Sequence, residues 1–466
     1  MQITKRVKKT SGDNFMDIRE AIKSRPMQWQ QIVVFVICIL LTMIDGYEII
    51  VLPFVMPHLA KAWKLSHVEV GYLLSASVLG MAIGAAIISP LADRIGRRAH
   101  ILLCLVLVTV GMLLSARSEN FRELVAMRAF AGLFIGGLIA SINVLVSEYS
   151  SDKRRGVVMG LYGIGLPLGS ALAGSVVEPL VASYGWRGPL AFGALLTLAM
   201  TAVVIPMLPE SAEYLIERRP KRALEKYNKI AARLGYPQST VLPEACRKND
   251  GPALAVAVNM IFGGVMLRRT ACLWLGYAGL ISAFYFANAW TAKLVADASG
   301  SPAYGVRVGM LIMIGGVIGS LLFAALSLRI RPVIVTALVL TGGAVVYTLY
   351  ATYFRDVALA IPLSMLVGAS ASGGVCAFYA ISPPIYPAIV RGTAVGLMIG
   401  FGRAISVVVP IWTGYMLSVG WTPSTLYRVF GGVLGAAAVF VLLLDQARAA
   451  QVPDAGMHGA ADKYGG

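Results

Sequence analysis

The chain has 466 residues, of which 58% are hydrophobic and only 14% are charged. Soluble proteins usually carry about 25% charged residues, so this composition excludes a water-soluble globular protein. The formal net charge of +17 does not indicate nucleic-acid binding, because the basic residues fall in short loops between apolar stretches, as in membrane proteins.

Apolar stretches long enough to cross a bilayer, which requires about 20 residues, recur along the whole chain. A polar and charged segment, 1–30, precedes the first of them and predicts no cleavable signal peptide. A Gly/Ala-rich tail, 447–466, follows the last and is predicted to be a disordered cytoplasmic segment. The predicted spans are 31–56, 68–92, 101–116, 122–147, 156–180, 189–208, 270–296, 304–327, 333–353, 357–383, 393–417 and 424–444.

These spans form two groups of six. The first group occupies 31–208 and the second 270–446, and a basic linker, 209–269, joins them. Within the linker, residues 211–234 predict an amphipathic helix. Two repeated halves joined in this way are typical of secondary transporters. The sequence therefore predicts an all-α membrane protein with twelve transmembrane helices in two six-helix halves.

The basic residues predict the orientation of the spans. Segment 1–30 is basic, and the loops 89–98 and 324–332, after the second and eighth spans, each carry arginines. The alternate loops contain fewer lysines and arginines. Because positively charged loops stay on the cytoplasmic side, we expect both termini and the linker to be cytoplasmic.

Two acids, Asp45 and Glu48, lie near the middle of the first span. A spacing of three places both carboxyl groups on one helix face. An acid at the bilayer centre costs about 2.5–3.5 kcal/mol on the insertion scale, so the pair requires a polar cavity or a partner. This pattern favours proton coupling or substrate gating, with a helix kink at Gly46 or a structural ion pair as the alternative.

Arg403 lies midway along the eleventh span, among glycines and branched apolar residues. A guanidinium in this place is suited to a two-donor grip on a carboxylate. It is predicted to bind the substrate, or to pair with Asp45 or Glu48 when the site is empty. Arg391 lies at the start of the same span, where lipid headgroup contact and gating explain it equally well.

Aromatic side chains in several spans are candidates to contact an aromatic ring. Most aromatic residues in such helices serve in packing, so the densest cluster, in residues 284–290 of the seventh span, is the best candidate for a wall of the site. The predicted substrate-binding residues, besides Arg403, are Tyr47, Phe284, Trp290 and Tyr379.

Several motifs resemble one known family. The loop after the second span reads Ser89-Pro-Leu-Ala-Asp-Arg-Ile-Gly-Arg-Arg98, which matches the signature of the major facilitator superfamily except for Ser89 in place of glycine. Within that superfamily the chain resembles the aromatic acid:proton symporters, bacterial permeases for benzoate, hydroxybenzoates and protocatechuate. The motifs that carry this second resemblance are Asp45-Gly-Tyr-Glu48, Ser147-Glu-Tyr149, Leu208-Pro-Glu-Ser211 and Gly400-Phe-Gly-Arg403.

The resemblance implies import of a small aromatic carboxylate with protons, by alternating access, in the bacterial inner membrane. It implies that Arg128 takes part in coupling with the two acids, and that Glu148 takes part in gating; the alternative for both residues is a salt-bridged structural scaffold. The signature loop would form a cytoplasmic latch through Asp93, Arg94, Arg97 and Arg98. The chain departs from the family at Glu48, where aspartate is usual, and at Leu328, which replaces an aspartate of the second-half loop.

Other classes of function find less support in the sequence. Nucleotide-binding and hydrolase motifs are absent, and the 5 cysteines and 4 histidines are scattered, so we expect no enzyme activity, metal site or cofactor. The expected partners are the substrate, the proton and the lipid bilayer, with the protein as a monomer. The alternatives are a permease for a non-aromatic organic acid or another small metabolite, and a non-transporting membrane sensor.

Overall fold

The computed structural model describes residues 17–151, 155–243, 259–386 and 390–449. Helices of the first half and the linker are α1 Ile18–Ser24, α2 Trp29–Trp63, α3 His67–Ile87, α4 Ala92–Ile95, α5 Arg97–Arg117, α6 Phe121–Glu148, α7 Arg155–Tyr184, α8 Arg187–Met207, α9 Ala212–Arg218 and α10 Ala223–Arg233. Those of the second half are α11 Gly264–Ser299, α12 Pro302–Ser327, α13 Pro332–Tyr353, α14 Val357–Ile381, α15 Arg391–Ser418 and α16 Pro423–Ala449.

Twelve helices in the described chain are long and apolar enough to cross a membrane, which confirms the predicted number of spans. Only a helix satisfies all of its backbone hydrogen bonds within one segment in lipid, so the apolar stretches adopt this structure. The ends differ from the predicted ones. Helix α2 begins at Trp29 and continues to Trp63 through two prolines, and α11 begins at Gly264, within the predicted linker.

The two halves repeat one packing arrangement. A Cβ atom built on Gly84 of α3 would lie 1.8 Å from the carbonyl oxygen of Leu133 in α6. In the second half, a Cβ atom built on Gly368 of α14 would lie 1.8 Å from the carbonyl oxygen of Ile312 in α12. Small residues allow the backbones of membrane helices to approach this closely, and here they do so at corresponding pairs of helices.

The halves meet at one end of the molecule. We call this the distal end, because the linker and the signature loop 89–98 lie at the opposite end, the linker end. At the distal end the Ser75 hydroxyl of α3 donates to the Val407 carbonyl of α15 at 2.7 Å. A Cβ on Gly414 of α15 would lie 2.3 Å from the His67 carbonyl oxygen. The distal end is therefore closed in this conformation.

The linker differs from the single amphipathic helix predicted for 211–234. It forms α9 and α10, because Arg219 and Arg222 adopt left-handed backbone angles on either side of Pro220. The N-terminal helix α1 packs on both of them through a small apolar cluster, and the Ile18 backbone N–H donates to the Tyr227 hydroxyl at 3.0 Å. Most of the predicted disordered tail, 450–466, lies outside the described residues.

Candidate functional site

The two acids of α2 are buried but have different surroundings. Glu48 accepts a hydrogen bond from the Thr197 hydroxyl of α8 at 2.5 Å. Neither carboxyl oxygen of Asp45 has a hydrogen-bond donor among the described residues. Asp45 interacts electrostatically with Glu48 and, across the two halves, with Arg403. A buried carboxylate without donors is costly, so Asp45 is the group whose charge the fold compensates least.

Arg128 of α6 is fully buried and joins four helices of the first half. Its guanidinium donates to the Glu48 backbone carbonyl at 2.8 Å, to the Ser77 hydroxyl at 3.0 Å and to the Met112 sulfur at 2.8 Å. It also interacts electrostatically with the Glu48 carboxyl group. The structure thus brings together three predicted coupling residues, Asp45, Glu48 and Arg128.

Arg403 of α15 lies on the opposite side of the interface between the halves. Its guanidinium donates to the hydroxyl of Tyr285 of α11 at 3.2 Å, and it interacts electrostatically with Asp45. No ion pair within 4 Å joins Arg403 to an acid among the described residues. Most of its donors therefore remain available for a ligand between the halves.

The aromatic residues predicted to bind substrate separate into two groups. Phe284 is half-buried and lies beside Tyr285, with ring centroids 5.3 Å apart, and Tyr379 of α14 interacts electrostatically with Arg403. Tyr47 and Trp290 lie elsewhere. Their polar atoms donate to the Pro189 and Pro410 carbonyls, at 2.8 and 3.2 Å.

Residues 284–290 do not form one continuous aromatic surface. Trp290 is fully buried against α15, and Phe286 stacks on Phe430 of α16 with centroids 4.3 Å apart. Successive residues of a helix point in different directions, so residues 284–290 cannot all face one ligand. Tyr47 likewise packs against α8, with its ring edge on Phe192.

The signature loop forms a charged chain within the first half. Asp93 pairs with Arg97 at 2.8 Å, and Arg97 lies 3.7 Å from Glu148. The Arg98 backbone N–H donates to Glu210 at 3.0 Å, and its guanidinium donates to the Ile205 carbonyl. The structure therefore brings together the predicted gating residues Asp93, Arg97 and Glu148. It describes the backbone but not the side chain of Arg391.

Two residues of the linker hold this loop: Glu210, which belongs to the Leu208-Pro-Glu-Ser211 motif, and Tyr214, which the sequence did not single out. The Tyr214 hydroxyl donates to the Arg94 carbonyl at 3.2 Å. Burial, with a smaller contribution from Glu210, raises the pKa of Tyr214, so the phenol keeps its proton and remains a donor. Gly96, with φ of +100°, lies so close to Glu210 and Tyr214 that an added Cβ would meet both.

The distal end also holds a buried lysine that no sequence motif indicated. Lys293 of α11 pairs with Asp297 at 2.5 Å and interacts electrostatically with His67 of the other half. The spacing of four between Lys293 and Asp297 was the available signal. Both residues line a cavity of about 330 Å³ between α2, α11 and α12. Among the described residues no group of three or more His, Cys, Asp or Glu side chains could hold a metal ion.

Comparison with known proteins agrees with this architecture. Residues 36–402 match the Major Facilitator Superfamily. The fold resembles that of the xylose transporter XylE from E. coli in a partially occluded inward open conformation, with a TM-score of 0.68 and 16% identity, covering 89% of this chain and 98% of XylE.

Relatives of known function cover nearly the whole chain. It is 28% identical to a gallate transporter of Pseudomonas putida, over 94% of this chain and 97% of that protein. It is also 28% identical to the 4-hydroxybenzoate transporter PcaK of Pseudomonas aeruginosa, over 87% and 90%, and to a benzoate transport protein of Acinetobacter baylyi, over 85% of each. The chain therefore belongs to the major facilitator superfamily.

Proposed function

We propose that the protein imports a small aromatic carboxylate together with one or more protons by alternating access. The observation that carries this proposal is Arg403, whose guanidinium has no ion-pair partner within 4 Å among the described residues and interacts electrostatically with Asp45 across the interface between the halves. An anion that enters this space loses hydration, and an uncompensated buried charge is costly. The guanidinium of Arg403 offsets that loss, and the aromatic side chains beside it offer a flat apolar surface.

Asp45, Glu48 and Arg128 are the proposed coupling residues. A proton on Asp45 removes a buried charge that has no hydrogen-bond donor, and it also weakens the attraction between Asp45 and Arg403. Protonation of Asp45 is thereby linked to the availability of the Arg403 guanidinium for the substrate. Symport of one monovalent acid with one proton moves no net charge, whereas each additional proton gains about 2.3 kcal/mol per 100 mV of membrane potential.

The proposed setting is the bacterial inner membrane, with both termini in the cytoplasm and the protein as a monomer. The basic loops at the linker end support this orientation. It places the closed distal end outside the cell. Asp93, Arg94, Arg97, Arg98, Glu148 and Arg391 are the proposed gating residues, at the end that must close when the distal end opens.

Uptake into proteoliposomes tests the proposal. With an inward proton gradient, the purified protein should accumulate radiolabelled benzoate, 4-hydroxybenzoate or a related ring acid, and a protonophore should abolish accumulation. Arg403→Lys should weaken uptake, because lysine keeps the charge but loses the planar pair of donors. Arg403→Ala should nearly eliminate it.

Arg355→Ala is a matched control, since Arg355 is an exposed arginine outside the spans. Preferential uptake of aliphatic acids over ring acids would overturn the substrate assignment. Uptake of ring acids without any dependence on the proton gradient would overturn the coupling.

A further inference from the structure

Three tyrosines surround the guanidinium of Arg403. Tyr285 accepts a hydrogen bond from it at 3.2 Å, and Tyr277 and Tyr379 interact with it electrostatically. Tyr277 and Tyr285 belong to α11 and Tyr379 to α14, so the cluster joins three helices of the second half.

The three tyrosines are not equivalent. Tyr277 is 2% exposed, and a Cβ on Gly402 would lie 2.5 Å from its ring, so it is a fixed part of the helix interface. Tyr379 is 46% exposed, and its ring centroid lies 6.4 Å from that of Tyr277. Tyr285 is half-buried and touches Arg403 directly. Tyr285 is therefore the phenol best placed to contact a ligand bound to the guanidinium.

A phenol hydroxyl can accept and donate hydrogen bonds. In this conformation the oxygen of Tyr285 accepts from Arg403, and the hydroxyl proton can turn toward another acceptor. A carboxylate gripped by the guanidinium brings an acceptor into this position. The hydroxyl can then donate to the carboxylate without any movement of the ring.

We propose that Tyr285 is a specificity-determining residue, whose hydroxyl donates to the substrate carboxylate held by Arg403. This inference rests on the proposed function and refines it. Arg403 presents only donors to the ligand, and the Tyr285 oxygen already accepts from Arg403, so its hydroxyl is oriented to donate as well, which suits two carboxylate oxygens. A carboxamide offers one oxygen and an NH₂ group that would face these donors, so the cluster selects acids over their amides more strongly than Arg403 does alone.

Binding measurements on Tyr285→Phe test this inference. Affinities of benzoate, 4-hydroxybenzoate and benzamide are measured by isothermal titration calorimetry on the full chain in nanodiscs. Hydrogen bonds to charged groups support an affinity loss of about tenfold for the two acids. The benzamide affinity should change less than twofold. Tyr285→His, which keeps a donor with shorter reach, should fall between the wild type and Tyr285→Phe.

Tyr353→Phe serves as the control, because Tyr353 is an exposed tyrosine at the end of α13. Unchanged or tighter acid binding by Tyr285→Phe would mean that the phenol only accepts from Arg403, and the inference would be wrong. Equal losses for acid and amide would assign Tyr285 a structural role and would also overturn it. If the wild type binds none of the three compounds, the proposed function itself fails and the inference falls with it.

Discussion

Asp45 is the residue whose surroundings bear most directly on the proposed proton coupling. It is buried, its carboxyl group has no donor among the described residues, and its charged neighbours are Glu48 and Arg403. Glu48 differs, because Thr197 and Arg128 both stabilise it. The two acids share a helix face, but both carboxyl oxygens of Asp45 and only one of Glu48 lack a donor among the described residues, so Asp45 depends more on a proton or on Arg403.

We therefore expect Asp45→Asn to abolish accumulation driven by a proton gradient. Asparagine keeps the shape of the side chain but cannot carry a transferable proton. Exchange of labelled for unlabelled substrate at equal pH should continue, because the substrate site around Arg403 remains intact. Both activities are measured in the same proteoliposomes.

Glu119→Gln, at an exposed acid before α6, is the control and should behave as the wild type. Normal gradient-driven accumulation by Asp45→Asn would exclude Asp45 as the coupling residue. Glu48→Asp should retain activity, because it keeps a carboxyl group beside Thr197 and Arg128.

At the scale of the helices, the sequence predicted the number of transmembrane helices but not all of the contacts between them. Apolar stretches of about 20 residues suffice to define spans. An isolated charge within such a span, such as Arg403, can be recognised from the sequence. The side-chain directions of Tyr47 and Trp290 depend on how α8 and α15 pack, which no local pattern records. The break between α9 and α10 escaped prediction because the amphipathic pattern continues across Pro220.

The linker and the signature loop form one structural unit at the linker end. Glu210 accepts hydrogen bonds from the backbone N–H groups of Arg98 and Ser211, each at 3.0 Å. The Tyr149 hydroxyl donates to the Glu210 carbonyl at 2.7 Å. One residue of the linker thus connects the N-terminus of α5 with the C-terminus of α6, on either side of the Arg97–Glu148 pair.

We expect Glu210→Ala to loosen the loop and slow transport more than it weakens substrate binding. The substitution removes the acceptor of two backbone N–H groups. Leaving a buried donor without an acceptor destabilises the folded structure by about 1–3 kcal/mol. Hydrogen exchange at residues 96–98 should accelerate about fivefold or more, and turnover should fall by a similar factor. The dissociation constant for substrate should stay within about twofold of the wild type, since the loop is remote from Arg403.

The matched control is Glu225→Ala, which removes an exposed acid of α10 paired with Arg222 at 3.9 Å. Such exposed pairs contribute about 0–1 kcal/mol, so exchange and turnover should not change. A collapse of substrate binding in Glu210→Ala with normal turnover per bound substrate would contradict a role in gating.

The whole molecule is held in this conformation by contacts at the distal end. Helices α3 and α15 touch through backbone atoms, at Gly71 beside the Pro410 carbonyl and at Gly414 beside the His67 carbonyl. In addition, Phe54 of α2 fills the space above Gly309 of α12. Alternating access requires these surfaces to separate while the linker end closes. The balance between the two states therefore depends on how closely α3 and α15 can approach.

A substitution that crowds the contact between α3 and α15 should shift this balance. In Gly414→Ala the new methyl group would lie 2.3 Å from the His67 carbonyl oxygen, a backbone atom that cannot turn aside. Overpacking of this kind costs about 1–3 kcal/mol, and only the state closed at the distal end bears the cost. The population open at that end should rise by about 5–150-fold relative to the closed one. Distances between spin labels at Lys61 of α2 and Ser418 of α15, measured by pulsed electron paramagnetic resonance, should shift toward longer values.

Gly432→Ala, in α16 where an added Cβ has no neighbour within 4 Å, should leave the distribution of these distances unchanged. If Gly414→Ala gives the wild-type distribution while the protein remains folded, the contact between α3 and α15 does not control the opening of the distal end.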